Sequence, residues 1–240
     1  MMNKVDILAF GAHPDDVELG CAGTILLQIS LGYKVGVIDL TKGELGTRGT
    51  SEIRMQESEI ASKKMGLSFR DNLEFLDGFF QNNKKNQLEV IKRIRAHRPS
   101  IVLCNAICDR HPDHGRAAEI IYDACFLSGL EKIKTTFNGV NQKVFRPQVL
   151  YNYIQYNDDK PDFIIDISDF MNQKMDIIKS YVSQFYNPAS KESATLISKK
   201  SFLELVKNRN ADLGRFISVE YAEGFTTHRY MGTKNLFNLI

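Results

Sequence analysis

No stretch of this chain approaches the roughly 20 uninterrupted apolar residues of a membrane-crossing helix, so no spanning segment is expected. Cys21, Cys104, Cys108 and Cys125 make no CxxC pair; they read as free, largely buried thiols in a reducing compartment. Charge of one sign is also lacking. A net charge of +2 on 25% charged residues leaves no broad electrostatic footprint, so neither nucleic acid nor an anionic membrane is an expected partner. The apolar run at 5–10 is too short, and too soon followed by charge, for a signal peptide, so a cytoplasmic location is expected. Internal repeats and low-complexity linkers are absent.

What is present is a rhythm of strand and helix signals over 240 residues, of which 43% are hydrophobic, enough for one domain spanning 1–240. Apolar runs at 5–10, 34–40 and 101–104 read as buried strands. Helical spacing marks 20–30, ending at Gly32, then 51–65, 87–96 and a segment from His114 through Ala117, Ile120, Ile121, Ala124 and Leu127. The second half is less regular, with strands expected at 148–156, 163–167 and 217–221, helices at 169–182 and 201–213, and a mobile loop at 187–193. Alternation of this kind implies an α/β, Rossmann-like fold: a mostly parallel sheet flanked by helices on both faces. Ligands bind beyond the carboxyl ends of such strands.

Two short segments fall at that edge. Ala12-His13-Pro14-Asp15-Asp16-Val17-Glu18 follows the first strand, and Arg110-His111-Pro112-Asp113-His114-Gly115 follows the strand at 101–104; together they hold three of the five histidines. His13, Asp16 and His114 form a two-histidine, one-carboxylate set suited to a catalytic divalent ion with an open position for water. Zinc is the expected ion, with Fe2+ or Co2+ as alternatives. Asp15 is left over beside that position as a general base. His111 is close enough in sequence to enter the same pocket, to stabilise an oxyanion or protonate a leaving amine, with Asp113 to orient it. These residues together describe metal-assisted hydrolysis of an acyl group. His97, inside a helix, and His228 read as structural or solvent-facing, and Glu18 as either a supporting acid or a first-turn acid of a helix.

At these residues the chain resembles the PIG-L/LmbE-like family of zinc-dependent N-deacetylases. The segments LAFGAHPDDVELGCAGT, TRGTSEIRMQE, DRHPDHGRAAE and VEYAEGF resemble its bacillithiol-pathway branch, whose members deacetylate N-acetylglucosaminyl malate. The resemblance implies the same ligand set and the same roles for Asp15, His111 and Asp113, with a small amino-sugar substrate. It also implies that Arg54 and Arg110 face the substrate, and a guanidinium fork does match the two carboxylates of malate. Arg48, in the 46–50 loop, is a weaker candidate. A homo-oligomer, trimer or hexamer, is implied as well. Mycothiol-pathway relatives carry a tyrosine where this chain has Asp109, and an acid there cannot act as a neutral phenol donor.

Three other readings compete. A two-histidine, one-carboxylate set also describes non-haem iron oxygenases, though the extra Asp15 argues for hydrolysis. A non-enzymatic nucleotide- or sugar-binding module would place GxGxxG in the first turn, where this chain has acids that repel phosphate. Deacetylation of another N-acetylglucosamine conjugate or a chitin fragment is the third, since motif and fold fix chemistry better than substrate.

Overall fold

The computed structural model describes residues 4–157 and 159–238. Strands β1 (Ile7–Gly11) and β2 (Val35–Asp39) are buried along their whole length, as expected of runs without a polar face. Helix α1 (Asp16–Ser30) joins them, and α2 (Ser51–Met65) leads to β3 (Phe69–Asn72). Then come α3 (Lys84–His97), β4 (Ile101–Cys104), α4 (Pro112–Leu127) and a small hairpin, β5 (Thr136–Phe137) and β6 (Val140–Asn141). The chain continues through β7 (Val149–Tyr153), β8 (Phe163–Asp166), α5 (Met171–Ile178), α6 (Lys200–Gly214) and β9 (Ala222–Thr227).

Seven strands form one sheet in the order β3-β2-β1-β4-β7-β9-β8. The first five in that order run parallel, whereas β9 is antiparallel to both β7 and β8. Alternation along β1 divides the core in two. Ile7 and Ala9 join Val17, Ile25, Ile177 and Phe202 on the face covered by α1, α5 and α6. Leu8 and Phe10 join Ile91, Ile94, Ile120 and Ala124 on the face covered by α3 and α4. Among the described residues no helix is long and apolar enough to cross a membrane.

The order reverses at β1, which pairs with β2 on one side and β4 on the other at Ile7↔Val35 and Ile7↔Ile101. The carboxyl ends of β1 and β4 therefore frame the switch-point crevice, and both histidine segments leave from it.

Several boundaries differ from the sequence expectation. Helix α1 starts at Asp16, not at residue 20, and breaks at Cys21, whose φ of −148° is not helical. The break is held from outside: Gly23 N and Thr24 N donate to the Glu223 carboxylate at 2.9 and 2.7 Å, and Lys174 Nζ donates to it at 2.6 Å. Gly20 is required just before the break, because a Cβ there would lie 2.2 Å from the Tyr153 ring. The strand expected at 217–221 lies instead at Ala222–Thr227, preceded by a 3-10 turn at Arg215–Ile217. The helix expected at 169–182 is shortened to Met171–Ile178 behind a 3-10 turn at Ser168–Phe170.

Candidate active site

The turn after β1 sets the first half of the site. Asp15 adopts φ 118°, a conformation L-residues avoid, and so reverses the chain before Asp16 opens α1. Strain of this kind persists only where surroundings enforce it. Here Arg54 on α2 does so, donating from one guanidinium nitrogen to both Pro14 O and Asp15 Oδ2. Gly43 makes room for that guanidinium, since a Cβ at this position would meet Arg54 Nη1 at 2.1 Å.

Asp16 sits at the centre. Its Oδ2 lies 3.5 Å from His13 Nδ1 and its Oδ1 lies 3.1 Å from His114 Nε2. The same carboxylate accepts from Asn105 Nδ2 and Gln155 Nε2, each at 3.0 Å, and from His13 N at 2.9 Å. The other ring nitrogens of the two histidines face carboxylates too. His13 Nε2 is 3.0 Å from Asp77 Oδ1 and 3.3 Å from Asp113 Oδ2, while His114 Nδ1 is 2.6 Å from Asp109 Oδ2. Donor atoms of His13, His111 and His114 lie within 4.8 Å of one another, as do those of His13, Asp77 and Asp113.

Helix α4 supplies the second half. His111 is its N-cap, and His111 Nδ1 accepts from Asp113 N at 3.2 Å. The expected side-chain pairing of His111 with Asp113 is therefore corrected. The Asp113 carboxylate points away to His13 Nε2, Gly78 N and Arg116 Nη1, because the first helical turn carries it behind the cap.

Burial and neighbouring charges decide the protonation of these groups. Burial pushes Asp15 up to about 7, against the opposing pull of Arg54. Burial works against the charged form of His114, but Asp16 and Asp109 overcome it and raise the group to about 9. His13 is raised well above its ordinary value, as hydrogen bonds to Asp113, Asp16 and Asp77 outweigh its burial. His111 is lowered by burial and by the nearby His13 and His114.

A cavity of about 530 Å³ opens over this cluster, lined by His13, Asp15, Asp16, Arg54, His111 and His114. Arg110 also reaches it, stacked over the Tyr156 ring at 5.2 Å, and so does Arg209 on α6, which donates to Tyr156 O at 3.3 Å. Arg48 does not; it is buried against the 187–193 segment, donating to Ser190 Oγ at 2.6 Å. That segment is docked on the 46–50 loop, with Gly49 N donating to Glu192 at 2.8 Å. Glu18 is fully buried and paired with Arg70 at 2.6 Å, away from the histidines. His97 stacks on Phe69 and His228 packs on Tyr122, both outside the cavity.

Asp77, Asn105 and Gln155 were not singled out from the sequence. Asn105 has a sequence signal, being the residue directly after β4 at the edge where ligands bind. Asp77 and Gln155 carry none, since only the folded chain brings them beside His13 and Asp16.

A buried histidine–aspartate cluster at the switch point of a parallel α/β sheet, open to a cavity of substrate size, defines the class of a small-molecule active site. Residues 8–125 match the family model described as PIG-L, GlcNAc-PI de-N-acetylase. A conserved protein from Thermus thermophilus superposes with a TM-score of 0.84 at 32% identity, covering 96% of this chain and 98% of that one. Diacetylchitobiose deacetylase of Thermococcus kodakarensis is 28% identical over 192 residues, 75% of this chain and 70% of that protein. The 4-carboxy-2-hydroxymuconate hydratase of Pseudomonas putida shares the fold, with a TM-score of 0.76 at 20% identity over 98% and 100% of the two chains. This chain belongs to the PIG-L family.

Proposed function

We propose that this protein is a metal-dependent N-deacetylase acting on N-acetylglucosamine conjugates, with His13, Asp16 and His114 holding the ion. The observation that carries this reading is the convergence of His13 and His114 on the Asp16 carboxylate. A carboxylate only accepts hydrogen bonds, so Asp109 and Asp77 take the ring protons of His114 Nδ1 and His13 Nε2. The remaining nitrogens face Asp16 from 3.1 and 3.5 Å, each holding a proton that a bound ion would displace. A divalent ion would take the place of the protons between the rings and Asp16, with His13, Asp16 and His114 as its ligands. A divalent ion bound there supplies Lewis-acid polarisation of the acetyl carbonyl and a lowered pKa for water.

The side chains do the rest. Asp15, held over the cavity by Arg54, takes a proton as water adds to the amide carbon. It then hands the same proton to the leaving nitrogen as the C–N bond breaks, giving acetate and a free amine. His111 accepts at Nδ1, so its proton sits on Nε2 and the neutral ring acts as a hydrogen-bond donor toward the developing oxyanion rather than as an acid. The Asp15 base favours hydrolysis over oxygen chemistry on the same ligand set.

For the substrate we favour N-acetylglucosaminyl malate, on the support of the guanidinium groups of Arg110 and Arg209 beside Tyr156 at the cavity. Arg54 faces the cavity but is engaged with Asp15, so it acts on the base before it acts on an aglycone. The test is acetate release by the zinc-loaded protein from N-acetylglucosaminyl malate, N-acetylglucosamine and diacetylchitobiose. Release from the malate conjugate far above the others is expected. Equal release from all three would retain the deacetylase and discard the malate preference, and no release from any would overturn the reading.

A further inference from the structure

We infer that Asp77 and Asp109 are positioning residues that fix how the two histidines present themselves to a metal ion: His13 through Nδ1 and His114 through Nε2. The inference rests on the metal centre proposed above. Neither carboxylate belongs to that ligand set, and each is built into the fold by backbone donors. Asp109 Oδ1 accepts from Arg110 N at 2.7 Å and from Asn157 N at 3.1 Å, which leaves Oδ2 aimed at His114 Nδ1. Asp77 Oδ2 accepts from Leu45 N at 2.9 Å, and Asp77 N donates to Glu44, which leaves Oδ1 aimed at His13 Nε2. Asp113 Oδ2 shares that nitrogen at the longer distance of 3.3 Å.

The geometry has two consequences. Each imidazole has one proton to place when neutral, and a carboxylate at 2.6 or 3.0 Å commits that proton to the far side of the ring. The near nitrogens both turn to Asp16, and it is from these that a bound ion would displace a proton. A charged partner on the far side also makes each ring a stronger donor to a metal. The two rings thus bind through different nitrogens, because His13 is approached by its carboxylate from the loop before α3 and His114 from the loop before α4.

Nitrogen-15 NMR of the zinc-loaded protein, labelled at histidine, tests the assignment without any substrate. One zinc-bound ring should be coordinated at Nδ1 and protonated at Nε2, and the other the reverse, with His13→Gln and His114→Gln assigning the signals. Zinc affinity is then measured by chelator competition for Asp77→Asn and Asp109→Asn, which keep shape and remove charge. A loss of about 10–100-fold for each is expected, with an unchanged circular dichroism spectrum. Coordination of both rings through Nε2 would overturn the inference. So would variants that bind zinc as tightly as the parent, and a raised KM in those variants would place the carboxylates on substrate instead. A parent protein that takes up no zinc would remove the metal centre and this inference together, whereas zinc binding without acetate release would sink the deacetylase reading and leave the two carboxylates in place.

Discussion

Arg54 donates to Asp15 at 2.9 Å while Asp15 sits at φ 118°, so one guanidinium both holds the strained turn and sets the charge of the residue in it. Burial raises Asp15 to about 7 and Arg54 opposes the rise. Replacing the cation therefore lets the carboxyl climb further. A base that stays protonated to higher pH loses activity at neutrality, so Arg54→Met should move the acid limb of the kcat/KM profile to higher pH. At pH 7 the rate should fall about tenfold or more. An unshifted limb would show that Arg54 acts elsewhere.

Asp15 and Asp16 are neighbours to which the proposed mechanism gives separate tasks. Asp15→Asn is expected to keep zinc and to lower kcat by about 10²–10⁴-fold, the usual worth of a general base. Asp16→Asn removes the charge that both histidines face, so zinc content should fall along with activity. Metal analysis beside turnover separates the two, and equal zinc loss in both variants would contradict the division of roles.

On the proposed malate conjugate, Arg110 and Arg209 would meet the carboxylates of the aglycone. Arg110→Gln and Arg209→Gln should each lower kcat/KM for N-acetylglucosaminyl malate by about 10–100-fold, the worth of a hydrogen bond to a charged group. The dimethyl ester of the same compound should be hydrolysed at nearly the parent rate. Equal losses on both substrates would assign the arginines to shape rather than charge.

Lys174 and Glu223 form a fully buried ion pair at 2.6 Å under the broken helix α1. Lys174→Met leaves a buried carboxylate without its cation, and Glu223→Ala does the reverse while also freeing Gly23 N and Thr24 N. Each should cost about 3–5 kcal/mol in urea unfolding. A change below about 1 kcal/mol would mean that the pair contributes only shape.

That pair also explains what a reader of the sequence could and could not see. The VEYAEGF segment was legible as a family resemblance, but its Glu223 works on the Cys21 break some 200 residues earlier. Strands β1, β2 and β4 announce themselves because both faces are buried and their runs are apolar. Strand β3 does not: Phe69–Asn72 is a half-buried edge whose Arg70 is spent on Glu18 and Asp39. Strand β9 was displaced because ISVEY carries the better β pattern, while AEGFTT holds a capping acid and a glycine lying close to Ile154 and Leu213. The two His-Pro-Asp segments, located by strand ends alone, do meet at one cavity. Their outer partners Asp77 and Gln155 were invisible, since contacts 64 and 139 residues apart leave no local period.

The most direct measurement is acetate release from N-acetylglucosaminyl malate by protein stripped of metal with a chelator, dialysed, and titrated with zinc. The account predicts negligible release from the stripped protein and recovery that saturates near one zinc per chain. Undiminished release after stripping would contradict it.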